Sequence, residues 1–382
     1  MNQSGSRDAD DLIGTVLDIA LSSPDRCVGV VGLAKNCGKT TVLASLVRSA
    51  SARRIRVGVT SCGRDGELYD AITGLPKPAI QVSAGTVVAL AESTLNRTSS
   101  HLEVLERLGV HTTAGEIVVA RAMGRGPVEI IGCNHSRDLI ASIAAMRSHG
   151  AELILVDGAA GRTFLASPDV VGSFVLSTGA ALDGEMREVA DATEMAVHLF
   201  TLPPPPPELS RQAEAAIRAG QPSIIRSTGV VQPFPWRTLL GRESEIVALL
   251  NPDDMGLAYD RAIGDALLAK LAEWLVRHSA ERAEGAKRAG RAGPNEFVVV
   301  GADPARVAAG ERSAREFEAA GGTLSVLRRA SVVAISTNPT SPSGVRFDPR
   351  EFTLEVSRRV PNLLVFDVAA GLSALGGAAC EA

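Results

Sequence analysis

The sequence predicts an α/β fold: a three-layer domain with a mainly parallel sheet over residues 1–202, and a smaller C-terminal α/β unit over residues 294–382. Three observations carry this. Short β-branched runs alternate with stretches of helical apolar spacing, the pattern of parallel strands joined by crossover helices. One such run, Cys27–Val31, passes directly into a glycine-lysine-threonine turn and then a helix. Five consecutive prolines, Pro203–Pro207, close the first region, because proline continues neither a helix nor a central strand and forms a stiff extended spacer.

Taken in order, the first element is an amphipathic helix over Asp10–Leu21. The Cys27–Val31 strand follows, then a helix from Thr41 through Leu43, Leu46 and Val47. Strands are expected at Arg56–Thr60, Ile117–Ala120, Glu129–Gly132, Leu153–Val156 and Ser173–Leu176, with helical spacing between most of them. After the linker at 203–207, residues 208–293 read as a helical connecting region. It holds a charged helix near Glu208–Ala219, an extended segment at Gly229–Phe234, a long helix near Tyr259–His278 and a basic, glycine-broken stretch from Glu281 to Gly293. The last unit should contain strands at Phe297–Val300, Thr323–Val326, Val332–Ile335 and Leu363–Phe366. The apolar stretch Leu363–Cys380 is interrupted by Asp367 and several glycines, so it reads as strand, turn and small-residue helix rather than a membrane span.

Composition narrows the function classes. The 382 residues suffice for two or three domains. A formal net charge of −4 gives no electrostatic case for nucleic-acid binding, and aromatic residues at 3% offer few platforms for stacking bases. The five cysteines form no Cys-x-x-Cys pair and follow no secretory apolar stretch, so a reducing cytoplasm is expected.

The chemistry concentrates between Gly32 and Thr41. A nucleotide's phosphates need several backbone N–H donors aimed at one point, which a loop before a helix N-terminus supplies together with the positive end of the helix dipole. Gly32, Lys35, Asn36, Cys37, Gly38, Lys39, Thr40 and Thr41 form the expected nucleotide-binding set. Gly38 permits close backbone approach, Lys39 reaches the β- and γ-phosphates, and the Thr40 hydroxyl joins the shell of a Mg2+ ion. The usual phosphate loop places its first glycine five residues before the second. Here Leu33 holds that position and Gly32 lies one residue earlier, a spacing that resembles the loop of dethiobiotin synthetase and its relatives. Lys35 is assigned an auxiliary phosphate contact only.

A second part of the same site is expected at a later strand end. Asp157 follows the apolar run Leu153–Val156, where a carboxylate opens into the crevice at which such sheets bind ligands, and it is the candidate second Mg2+ ligand with Thr40. Asp157-Gly-Ala-Ala-Gly161 is similar to an acidic glycine-rich stretch of dethiobiotin synthetases. Asp65, in the polar block Gly63-Arg-Asp-Gly-Glu67, is the candidate for positioning water or a second metal-side carboxylate. Lys39, Asp157 and Asp65 are thus the expected catalytic residues. Each Asp-Gly pair also fits an ordinary turn. Thr73–Pro78 with Gly85-Thr86 reads as a ligand-sensing loop, and Leu176–Ala180 as a strand-end turn near base or substrate. Cys133-Asn-His135 lacks a second ligand pair for zinc, and no Gly-x-Ser-x-Gly elbow is present.

The phosphate loop, the Gly63–Glu67 block, Val156-Asp-Gly-Ala159, Leu176–Ala180, Asn338-Pro-Thr-Ser-Pro342 and Phe347-Asp-Pro349 occur in an order that resembles the P-loop reactivase subunit associated with lysine 5,6-aminomutase and ornithine 4,5-aminomutase. That resemblance implies ATP and Mg2+ as cofactors, and a cobalamin-dependent aminomutase as partner, whose damaged cofactor is exchanged for intact adenosylcobalamin. A second ATPase subunit and a homodimer both stay open. The 60s loop is then the expected moving part, and the Asn338–Pro342 segment binds the partner or gates the crevice. The alternative is a dethiobiotin-synthetase-like ligase or small-molecule kinase, for which Lys77 is the only candidate substrate-side lysine. A third reading, a scaffold that binds no nucleotide, sits poorly with intact Gly38, Lys39, Thr40 and Asp157.

Overall fold

The computed structural model describes residues 4–23, 25–62, 80–98, 101–158, 167–288 and 296–375. The expectations at Asp65, Gly63–Glu67, Thr73–Pro78, Lys77 and Ala159–Gly161 lie outside these residues. The chain divides into two units.

The first unit takes residues 1–165, 169–197 and 331–382. It is an α/β unit whose ten-stranded sheet runs in the order Leu372–Leu375, Leu364–Asp367, Ser331–Asn338, Ser173–Gly179, Cys27–Gly32, Leu153–Gly158, Val57–Cys62, Val87–Ala91, Gly115–Ala122, Leu102–Thr112. From Leu364–Asp367 to Val87–Ala91 every pairing is parallel. The Cys27–Gly32, Val57–Cys62 and Ser173–Gly179 strands are buried at every residue, as strands of a parallel sheet covered on both faces should be. Helices Ser4–Ser22, Lys39–Ala52, Ser136–Ser148 and Pro349–Arg359 pack against this sheet. Leu12, Val16 and Leu17 of the first helix share a core with Leu43 and Leu46 of the second and with Val28, Val30 and Leu155 of the sheet. Helical spacing of apolar residues thus buries one face of each helix.

The outer strands depart from the expected pattern. The strand expected at Ile117–Ala120 is Gly115–Ala122, and it runs antiparallel to both Val87–Ala91 and Leu102–Thr112. In the latter strand Leu102, Leu105 and Leu108 recur every three residues, which reads as helix. Register shifts between Val104 and Glu106 and between Arg107 and His111 break the two-residue alternation and produce that spacing on a strand. The strand expected at Glu129–Gly132 is instead Gly126–Val128, paired with Ile80–Val82. Gly132 crosses the end of the Val57–Cys62 strand so closely that a Cβ there would lie 1.6 Å from the Ser61 carbonyl oxygen.

The second unit takes residues 166–168 and 198–330. Its five-stranded sheet has the order Val231–Pro233, Ser223–Ile225, Gly256–Tyr259, Phe297–Gly301, Gly322–Val326, with the last three parallel. Helix Pro207–Arg218 places Leu209, Ala213 and Ala216 against Ile225, Ala258, Val298 and Val300.

This division corrects the expected boundaries. Residues 208–293 are not a helical connector, since they supply three strands of the second sheet, and the long helix spans only Asp265–Arg277, preceded by the Gly256–Tyr259 strand. Residues 294–382 are not one unit either. Phe297–Gly301 and Gly322–Val326 belong to the second sheet, whereas Ser331–Asn338 and Leu364–Asp367 belong to the first. Apolar runs of similar composition carry no mark of which sheet they join; pairing with Ser173–Gly179 decides it. The proline run is part of the second unit rather than a spacer after the first: the Val326 amide donates to the Pro203 carbonyl (3.1 Å) and Pro207 opens a helix. Past Leu364–Asp367 the chain forms an antiparallel strand, Leu372–Leu375, where a helix was expected. Among the described residues no helix is long and apolar enough to cross a membrane.

Candidate functional site

Open parallel sheets bind ligands outside the carboxyl ends of their strands. At that edge of the first unit, Cys27–Gly32 lies between Leu153–Gly158 and Ser173–Gly179. The chain leaves the sheet at Leu33, whose amide still donates to the Ser177 carbonyl (3.0 Å). It then turns through two left-handed residues, Asn36 at φ 64° and Gly38 at φ 86°. Gly38 opens the Lys39–Ala52 helix and no side chain caps it. The amides of Thr41 and Val42 bond the Gly38 carbonyl, and the positive end of the helix faces the loop.

Lys39 folds back over this loop. Its Nζ donates to the Ala34 carbonyl (3.2 Å). An ideal Cβ on Gly32 would lie 2.7 Å from that nitrogen and 2.8 Å from Cδ. The glycine one residue earlier than the usual spacing therefore has a physical role: it is the floor on which the lysine lies. Burial lowers the Lys39 pKa, an effect offset first by the charge of Asp157 and then by Cys37 and Cys62, and reinforced by Lys35. A cation held in a cradle that penalises its charge gains most from an incoming anion.

Asp157 is the last residue but one of its strand, with Val30 opposite on one side and Ser61 on the other, and it is half-buried. Its pairing with Val30, two residues before Gly32, places it at the same edge as the loop. Thr40 is half-buried, while Lys35, Asn36 and Thr41 are exposed on the loop and first helical turn. Cys37 is buried, and burial raises its thiol pKa, so it stands as a neutral thiol packed under the loop rather than a nucleophile. Of the expected set, then, Gly32, Lys35, Asn36, Cys37, Gly38, Lys39, Thr40, Thr41 and Asp157 come together at one sheet edge.

Asn338 joins them, a contact that sequence spacing did not reveal. It ends the Ser331–Asn338 strand, and its Nδ2 donates to the Asn36 carbonyl (2.7 Å). The sequence placed Asn338–Pro342 at a strand end of a separate unit, to bind the partner or gate the crevice, and assigned Asn338 no contact with the loop; the available signal was an apolar run followed by Asn-Pro. Ser177 and Thr178, expected in a strand-end turn, lie instead within the Ser173–Gly179 strand and are buried. Ser177 Oγ accepts from Ser336 Oγ (2.7 Å), tying the two strands beneath the loop.

The residues fit a magnesium-bound nucleoside triphosphate on three counts: a left-handed turn into an uncapped helix, a lysine whose charge is penalised until an anion arrives, and a carboxylate on the adjacent strand end. Scans against protein-family models, curated proteins and solved structures each return no match.

Proposed function

We propose that this chain is a P-loop nucleotide-binding protein that binds and hydrolyses Mg-ATP, and that it serves as an ATP-dependent reactivation factor for a cobalamin-dependent aminomutase. The observation that carries the nucleotide reading is Lys39 lying across Gly32 with Nζ on the Ala34 carbonyl. Lys39 would exchange that carbonyl for phosphate oxygens, and the loop amides from Asn36 to Lys39 would bind the remaining oxygens. Thr40 and Asp157 would hold Mg2+, which neutralises charge on the β- and γ-phosphates. Loops ordered by a γ-phosphate are a common means of coupling hydrolysis to movement, and a reactivation factor needs such coupling to open a partner.

The partner reading rests on the ordered series of motifs from the phosphate loop to Phe347-Asp-Pro349. Its test is to inactivate a cobalamin-dependent aminomutase by turnover, then add this protein, ATP, Mg2+, fresh adenosylcobalamin and any companion ATPase. Activity should return only with ATP and only with Lys39 intact. If activity does not return while a metabolite library yields an ATP-consuming substrate for the isolated chain, the protein is a ligase or kinase instead.

A further inference from the structure

Asn338 stands 302 positions from Asn36, yet it is built into the phosphate loop. Its strand runs parallel to Ser173–Gly179 with Asn338 opposite Gly179. The Ala180 amide donates to the Asn338 carbonyl (3.0 Å), and a Cβ on Gly179 would lie 2.5 Å from that same oxygen. The backbone of Asn338 is therefore fixed. Its side chain is fixed as well, because Oδ1 accepts from the Thr340 amide (3.2 Å) and the Thr340 hydroxyl (2.9 Å). That leaves Nδ2 aimed at the Asn36 carbonyl.

Asn36 and Gly38 are the two left-handed residues of the loop. Asn338 bonds the first and stands beside the second, its Cβ 3.4 Å from the position a Gly38 Cβ would take. Asparagine takes a left-handed backbone more readily than other non-glycine residues, but the conformation still costs free energy that its surroundings must offset to hold it. The hydrogen bond on the Asn36 carbonyl provides that hold, and the direction in which the following amides point depends on this turn.

We propose that Asn338 is a positioning residue that holds the phosphate loop in its anion-accepting conformation before nucleotide arrives. The consequence for binding rests on the nucleotide reading given above; the clamp itself does not. Asn338 acts through the loop backbone, so its loss raises the Kd for Mg-ATP, by about five- to tenfold for one neutral hydrogen bond. The saturated hydrolysis rate changes less, because occupied phosphates order the same amides. Glycine adopts a left-handed backbone without steric cost, though with more conformational freedom to lose, so Asn36→Gly should remove the share of the clamp's effect that offsets left-handed strain.

The experiment measures Mg-ATP affinity by calorimetry in the parent, Asn338→Ala, Asn36→Gly and the double variant. Amide hydrogen exchange at residues 34–38 is measured in the same four proteins without nucleotide. The expected result is weaker binding and faster exchange in Asn338→Ala, with a clearly smaller penalty in the Asn36→Gly background. Unchanged affinity and exchange, or an equal penalty in both backgrounds, overturns the proposal. Faster exchange that Asn36→Gly suppresses, in a parent that binds no nucleotide, supports the clamp and overturns the nucleotide reading. Asn338→Asp keeps the shape and the Thr340 contacts but replaces the donor by an oxygen that repels the Asn36 carbonyl. If the alanine variant does not fold, faster exchange at residues 34–38 in this variant is the expected result, and unchanged exchange overturns the proposal.

Discussion

The Lys39 ammonium lies across Gly32, with Nζ 2.7 Å from the point a Cβ would occupy. The first prediction follows from this contact. In Gly32→Ala the added methyl pushes away the flexible end of a side chain rather than backbone, so the fold survives with a stability change within about 1 kcal/mol. The lysine can no longer rest in the cradle, and Mg-ATP affinity should fall about tenfold or more, the order of one charge-assisted hydrogen bond. Thermal unfolding and calorimetry on the same sample separate the two effects; a large loss of stability without loss of affinity would contradict the assignment of Gly32.

Under the proposed function Asp157 is a metal-side carboxylate, not part of the cradle. Asp157→Asn should therefore retain most nucleotide binding while hydrolysis falls by roughly 10- to 100-fold, the range typical when a group supporting a metal is altered. Steady-state hydrolysis at saturating Mg-ATP checks this, and equal rates in variant and parent would remove Asp157 from the site.

Asp367 supplies the pH dependence. It is buried at the end of the Leu364–Asp367 strand, where Oδ1 accepts from the amides of Ala369 and Ala370. Oδ2 is buried with no hydrogen-bond partner among the described residues. Burial raises its carboxyl pKa against the lowering effect of the two amides. A carboxyl with a raised folded pKa binds its proton more tightly in the folded state, so stability falls as pH rises from the ordinary carboxylate value through the raised one. Relative to Asp367→Asn, the parent should be more stable under acidic conditions and lose that advantage toward neutral pH. Urea unfolding of both proteins across this range checks the sign, and a pH-independent difference would show that Asp367 does not titrate in the window.

Gly132 tests the path of the chain across the sheet edge. A Cβ there would meet the Ser61 carbonyl oxygen at 1.6 Å, and backbone cannot yield as a side-chain tip does. Gly132→Ala should cost at least about 2 to 3 kcal/mol, the upper range for forced overpacking. A thermal midpoint close to the parent's would mean that residues 129–133 do not cross the Val57–Cys62 strand as described.

The Cys27–Gly32 strand, its loop and the Lys39–Ala52 helix were legible because they are contiguous, so a few adjacent residues carry the whole signal. The position of Asp157 was legible because an apolar run followed by a carboxylate marks the carboxyl end of a buried parallel strand. Asn338 was not, since its role depends on a strand pairing across 302 positions, and the sheet that strand joins is decided by contacts with Ser173–Gly179 rather than by its own composition. The Leu102–Thr112 strand was hidden for a local reason: its bulges convert a two-residue period into a three-residue one. The proline run misled in another way. Stiffness was read correctly as a break in regular structure, but Pro203 is tied to Val326 inside the second unit and marks no boundary between units.

The central claim is that Lys39 is the cation of a nucleotide-phosphate site, and calorimetric titration of Mg-ATP into the parent and Lys39→Ala tests it most directly. Burial lowers the Lys39 pKa, so removing its charge at neutral pH should not destabilise the fold, and equal thermal midpoints establish that the variant is intact. The account predicts saturable Mg-ATP binding to the parent and affinity weaker by about a hundredfold in folded Lys39→Ala, the upper range for a hydrogen bond to a charged group. Equal affinities in the two folded proteins, or no binding to the parent, would contradict it.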